Sequence, residues 1–77
     1  MESKIRLSTG ETLKSTGHRS KGTLAETDIY SYVIVNEIDE VVGFVEHTDY
    51  TSINGFIRSQ HVIQKDMVGN VLIEERW

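Results

Sequence analysis

Basic and hydroxyl side chains fill the segment KSTGHRSKG, residues 14–22, which contains no apolar residue. Its four basic side chains form a candidate anion-binding arm, because clustered positive charge attracts polyanions: Lys14, His18, Arg19 and Lys21. The composition is also typical of a flexible linker, since no apolar side chain is present to offset the entropy lost on ordering. We therefore predict a basic, partly flexible N-terminal segment or short hairpin over residues 1–25, ahead of a body at 26–77.

The most specific function that this segment suggests is that of a nucleotide-binding loop. Its glycines Gly17 and Gly22 are separated by four residues, as in a phosphate-binding loop, but Lys21 precedes the second glycine where the motif requires a lysine after it. No apolar strand leads into the segment and no apolar helix leaves it. The sequence therefore predicts no nucleotide cofactor.

Metal binding and catalysis have equally little support in the residue pattern. His47 and Asp49 share one face of a predicted strand, but the predicted pairing of His47 with Val62 turns His61 to the opposite face. The chain has no cysteine and no serine in a Gly-x-Ser-x-Gly context, and no carboxylate is visibly enclosed by apolar neighbours. We expect a protein that is not an enzyme, with no catalytic residues, metal or cofactor.

The body must be built from strands, because its apolar residues recur with period 2. From residue 28 onward the chain is rich in Val, Ile, Tyr and Phe and lacks a helical stripe. Asn54-Gly55 is a strong signal for a tight hairpin, since both residues readily adopt positive φ. The prediction is an all-β fold: a four-stranded antiparallel meander over residues 28–77, with turns near 37–40, 51–55 and 66–69.

The predicted register places most large apolar residues on one face of the sheet. Two-residue turns at Asn54-Gly55 and Ile38-Asp39 pair Thr51 with Arg58 and Tyr32 with Val45, and the last hairpin pairs Val62 with Ile73. The same register makes Arg58 the neighbour of Trp77 and predicts a cation–π contact between them. This face is the candidate dimer or partner surface: Tyr30, Tyr32, Val45, Phe56, Val62, Ile73 and Trp77.

Chain length suggests how that face is covered. A single domain of 77 residues buries only about 60% of its unfolded surface, and without cysteines it has no disulfides to compensate. The sheet must either curl into a small barrel or pack against a second copy. No apolar run approaches the roughly 20 residues of a membrane helix, and no signal peptide is recognisable, so we expect a cytoplasmic protein without membrane contact.

Charge is divided unevenly along the chain. Residues 1–24 carry five Lys or Arg against two Glu, whereas residues 25–77 carry three Lys or Arg against ten Asp or Glu.

Two functions remain open. The first is a non-enzymatic protein-binding or regulatory module, acting through its sheet as a homodimer. The second is a nucleic-acid-associated regulator that uses the basic arm, or an inhibitor whose acidic sheet mimics nucleic acid. No small-molecule substrate is evident.

Overall fold

The computed structural model describes residues 4–21, 26–52 and 58–77, and these form one antiparallel sheet. Its five strands follow one another in space in chain order, so the predicted meander is confirmed. The strands are β1 (Thr12–Lys21), β2 (Glu26–Val35), β3 (Val41–Thr51), β4 (Arg58–Asp66) and β5 (Val71–Arg76).

Strand β1 corrects the prediction of a flexible arm or short hairpin. The described part of the predicted linker lies in this strand, which pairs with β2 from Thr12 opposite Val35 to Lys21 opposite Thr27. Backbone hydrogen bonds to β2 order its polar part, residues 14–21, which has no apolar side chain of its own.

The β2–β3 and β4–β5 hairpins are closed by the same kind of turn, an Asx turn, in which an Asn or Asp side chain accepts hydrogen bonds from backbone N–H groups further along the chain. Asn36 Oδ1 accepts hydrogen bonds from the backbone N–H of Ile38 and Glu40, and Asp66 Oδ1 accepts them from Val68 and Asn70. The third turn residue after each has positive φ, 67° at Asp39 and 93° at Gly69. The turns predicted near 37–40 and 66–69 are therefore confirmed.

A bulge follows each of these turns and sets the register of its hairpin. The pairing shifts between Ile34 and Val35 and between Gln64 and Lys65, which leaves one extra residue in β3 and one in β5. The first bulge compensates for a turn one residue longer than predicted, so the predicted pairing of Tyr32 with Val45 is correct. The last hairpin was predicted wrongly, because Ile73 lies opposite Gln64 and Val62 opposite Glu75.

The β3–β4 pairing agrees with the predicted register, with Thr51 opposite Arg58 and His47 opposite Val62. The Asn54-Gly55 turn that motivated it lies outside the described residues. His61 pairs with Thr48 and so faces away from His47, as expected.

The core lies on one side of the sheet, which we call the covered face. Ile34, Val45 and Val62 are buried there, and Ile5 and Leu13 pack against them. The chain before β1 covers this core, and Gln64 connects that segment to the sheet. The Gln64 side-chain amide accepts a hydrogen bond from Arg6 N at 2.8 Å and donates one to Arg6 O at 2.7 Å. Part of the basic N-terminal segment thus serves as the second layer of the fold.

The sheet is open rather than closed into a barrel. Among the described residues, β1 and β5 are its two edges and the strand order does not join them, so the barrel alternative was wrong. No helix in the described part of the chain is long and apolar enough to cross a lipid bilayer.

Candidate binding surface

The opposite side of the sheet, which we call the open face, carries the clearest candidate surface. Paired residues share a face, so the cross-strand register identifies its members. They form four rows: Lys14, Val33, Phe44, Lys65 and Val71; Gly17, Ser31, Glu46, Ile63 and Glu74; Arg19, Ile29, Thr48, His61 and Arg76; Lys21, Thr27, Tyr50 and Ser59.

A bulge in β1 brings the basic side chains together on this face. The register shifts between Ser15 and Gly17, and the extra residue there is Thr16. In a regular strand Lys14 and Arg19, five residues apart, would point to opposite faces. The bulge places Lys14, Arg19 and Lys21 on the open face and leaves His18 on the covered face. Three of the four predicted arm residues therefore share a surface.

Exposed apolar side chains concentrate at the end of the molecule where the two Asx turns lie. Val68 in the β4–β5 turn is 83% exposed and Ile38 in the β2–β3 turn is 73% exposed. We call this group the apolar end: Ile38, Val41, Phe44, Met67, Val68, Val71 and Leu72, every one of them at least 38% exposed. Exposed apolar groups clustered in this way are typical of an interaction surface.

The open face is hollowed beside the apolar end. A depression of about 570 Å³ lies over the middle strands, and apolar surface from Val33, Phe44 and Ile63 lines it together with Glu46 and Lys65. Phe44 is 42% exposed. The depression continues the apolar end onto the sheet.

The far end of the open face has a different character, and we call it the basic half: Arg19, Lys21, Tyr50, His61 and Arg76. Arg19 and Lys21 stand on the β1 edge and form no ion pair with any described residue. On the other side, Glu74 Oε2 lies 2.7 Å from His61 Nε2 and 3.5 Å from Arg76 Nη2. Hydrogen bonding from His61 is the main reason that the pKa of Glu74 lies below its usual value.

A second depression, of about 470 Å³, lies in this basic half. The residues that line it include Thr48, Tyr50, Ser59, His61 and Arg76. Tyr50 is 39% exposed. The site combines an accessible ring, hydroxyl groups and positive charge.

Aromatic rings on the covered face stack on one another across the strands. Ring centroids are 4.5 Å apart for His18 and Tyr30, 5.8 Å for Tyr30 and His47, and 5.8 Å for His47 and Trp77. Lys4 Nζ lies 5.3 Å from the Trp77 ring centroid. The rings occupy one another's faces, so this row stabilises the sheet rather than offering free rings to a ligand.

The cation–π contact predicted between Arg58 and Trp77 was wrong, because both residues have other neighbours. Lys4 occupies the position over Trp77, and Arg58 forms two hydrogen bonds to Asp49, at 3.0 and 2.6 Å. These bonds lower the pKa of Asp49 and raise that of the Arg58 guanidinium. Arg58 thereby neutralises a carboxylate that would otherwise face Asp28 directly across the strands.

Among the described residues, Ser20, His18 and Asp28 meet in an arrangement that does not activate the serine hydroxyl. Ser20 Oγ donates to Asp28 at 2.7 Å, and His18 Nε2 lies 3.2 Å from the same carboxylate oxygen. Both contacts lower the pKa of Asp28, and the Ser20 hydrogen bond has the larger effect. A nucleophilic serine would have to donate to the histidine instead.

The residues predicted as a dimer or partner face lie on the covered face where they are described. Val45 and Val62 are buried within this chain, Tyr30, Tyr32 and Ile73 are half-buried, and Trp77 is exposed beside Lys4. Phe56 lies outside the described residues. Because Val45 and Val62 are buried, the described members of this face that keep accessible surface are Tyr30, Tyr32, Ile73 and Trp77.

Sequence reasoning missed the apolar end and the basic half. The alternation that places Tyr32 and Val45 on one face of the predicted sheet places Val33 and Phe44 on the other, which is a signal for a partly apolar open face. The bulge at Thr16 had no comparable signal, and without it the cations do not align.

Comparisons of the chain with protein-family models, curated proteins and solved structures give no match. Within residues 4–21, 26–52 and 58–77, no three His, Cys, Asp or Glu side chains group closely enough to hold a metal ion. The function is therefore argued from the chemistry of the open face.

Proposed function

We propose that this protein is a small non-enzymatic binding module that forms a homodimer through the apolar end. The observation that carries the proposal is the concentration of exposed apolar side chains at the two Asx turns and the adjoining part of the open face. Water contact with these groups is unfavourable by roughly 25 cal/mol per Å², and a partner removes it.

The small size of the buried core favours a second copy of this chain as the partner. Only four apolar side chains are buried among the described residues: Ile34, Val35, Val45 and Val62. Small domains with so little core commonly depend on oligomerisation. Association of two copies would bury additional apolar surface. This partner would be present wherever the protein is.

The available area is adequate for a specific dimer. The molecule measures 44 × 20 × 20 Å, so one 20 Å-wide end and the adjoining half of the open face offer an area on the order of the 800 Å² per partner that stable interfaces bury. In this arrangement the basic halves of both copies stay outside the interface.

Sedimentation velocity over a dilution series tests the dimer. The parent is expected to dissociate to a monomer only on dilution, and Val68→Asp to weaken the dimer about tenfold or more, because it places a charge where a valine side chain is buried between copies. Val68 is so exposed in the single chain that its replacement leaves the fold intact.

Ser59→Asp is the matched control, since it adds the same charge to an exposed position at the far end of the open face. It is expected to sediment like the parent. A parent that stays monomeric at all concentrations, or a Val68→Asp variant with unchanged dimer affinity, would contradict the proposal.

A further inference from the structure

We propose that the basic half of the open face binds single-stranded nucleic acid, with the Tyr50 ring stacking on a base and the flanking cations contacting phosphates. The site is distinct from the apolar end, so this inference does not rest on the homodimer. It also gives a role to Arg19 and Lys21, which follow the β1 bulge and lie on the open face.

Charge separation between the two faces supports a polyanionic ligand. The chain as a whole carries a net charge of −4. The two rows of the basic half nevertheless carry Arg19, Lys21 and Arg76, and the one carboxylate that contacts them among the described residues, Glu74 of the adjoining row, is already engaged by His61 and Arg76. The carboxylates Asp28 and Asp49 lie on the covered face, where Ser20, His18 and Arg58 engage them. A ligand on the open face therefore meets positive charge first.

The arrangement across the strands matches an extended single strand. Lys21 and Arg19 stand at the β1 edge, Tyr50 on the central strand, and Arg76 on β5. The five strands span about 20 Å. Accessible rings on a sheet flanked by cations bind single strands, because every base has a face on which a ring can stack.

A duplex is disfavoured by the same geometry. Reading a duplex requires an element that enters a groove, such as a helix or a two-stranded ribbon. The basic half is a shallow depression in a sheet, lined by Tyr50, Thr48 and Ser59. Stacked bases inside a duplex cannot reach the Tyr50 ring.

Fluorescence anisotropy with labelled oligo(dT) and oligo(rU) of about 12 nucleotides, at several salt concentrations, tests the inference. With three phosphate contacts, the slope of log K against log salt is expected to be about −2. Binding by both oligonucleotides indicates recognition of the shared chemistry, and binding by one alone identifies the sugar that the site accepts. A duplex of equal length is expected to bind at least tenfold more weakly.

Matched variants locate the site. Tyr50→Leu is expected to weaken binding about tenfold, whereas Tyr50→Phe retains it because the ring remains. Lys21→Gln is expected to reduce the magnitude of the salt slope by about 0.7, and Lys14→Gln to leave it unchanged. Lys14 is on the same strand and face but belongs to the turn end, where it pairs with Asp39 at 2.6 Å.

Separate outcomes distinguish this site from the dimer. Val68→Asp should still bind single strands, and Lys21→Gln should still sediment as the parent does. The inference is overturned if neither oligonucleotide binds at low salt, if the duplex binds as well as the single strand, or if Lys14→Gln weakens binding as much as Lys21→Gln.

Discussion

Gln64 connects the chain before β1 to the sheet, and replacing it with glutamate probes how much that connection contributes to stability. Gln64 is only 5% exposed, and its side-chain amide exchanges two hydrogen bonds with the backbone of Arg6. Gln64→Glu preserves size and the oxygen that accepts from Arg6 N. It replaces the donating nitrogen with a carboxylate oxygen facing Arg6 O.

The expected cost follows from these two contacts. Losing the hydrogen bond to Arg6 O and leaving a buried polar group without its partner costs about 1–3 kcal/mol. A domain of this length has a free energy of unfolding of only about 4–12 kcal/mol. Taking about 2 kcal/mol as the central value, we expect the melting temperature to fall by about 8–16 °C at neutral pH.

The pH dependence provides a second, independent signature. Burial and the facing Arg6 carbonyl favour the protonated carboxyl, which can donate to Arg6 O, so the pKa of the introduced group rises in the folded state. The stabilising contribution of the introduced carboxyl is then fully present below the unfolded pKa of about 4.3 and is lost as pH rises through the folded pKa. The deficit of Gln64→Glu relative to the parent should therefore shrink under acidic conditions.

Urea unfolding followed by circular dichroism at neutral and acidic pH, with each protein at the same concentration, measures both effects. Gln60→Glu is the matched control on the same strand. Gln60 is half-buried rather than buried, and its Oε1 lies 2.8 Å from His47 Nε2, a contact that a carboxylate oxygen can also make. Equal stability of Gln64→Glu and the parent at neutral pH, or a deficit that does not shrink in acid, would refute the reasoning.

Two further predictions concern the core and one of the turns. Val62 is completely buried, so Val62→Ala should reduce the free energy of unfolding by about 2–3 kcal/mol in chemical denaturation, and a loss below about 0.5 kcal/mol would contradict the packing described. Hydrogen bonds within its turn, above all from Asn70 N, hold the pKa of Asp66 below its usual value, so its contribution is present above about pH 4 and lost as pH falls through the folded pKa. Asp66→Asn should keep the turn, as Asn36 does in the other hairpin, and lose less stability than the parent on acidification; an unchanged acid-unfolding curve would count against this role.

The sequence alone determined the fold class and most of the β2–β4 register. Period-2 alternation specifies which residues share a face, and the pairing of Tyr32 with Val45 and of His47 with Val62 follows from it. Both Asx turns also have a local cause, because Asn36 and Asp66 bond to backbone groups only two and four residues away. Such features depend on neighbours in the chain and can be predicted from it.

Only the tertiary structure decided that β1 is an ordered strand, which segment covers the core and which side chains share the open face. The polar segment 14–21 becomes a strand because β2 offers an edge with unpaired backbone groups, and its own composition contains no sign of this. The cover depends on contacts between Gln64 and Arg6, 58 residues apart in the chain. The bulge at Thr16 then places Lys14, Arg19 and Lys21 on one face, because a single extra residue reverses the alternation of every side chain beyond it.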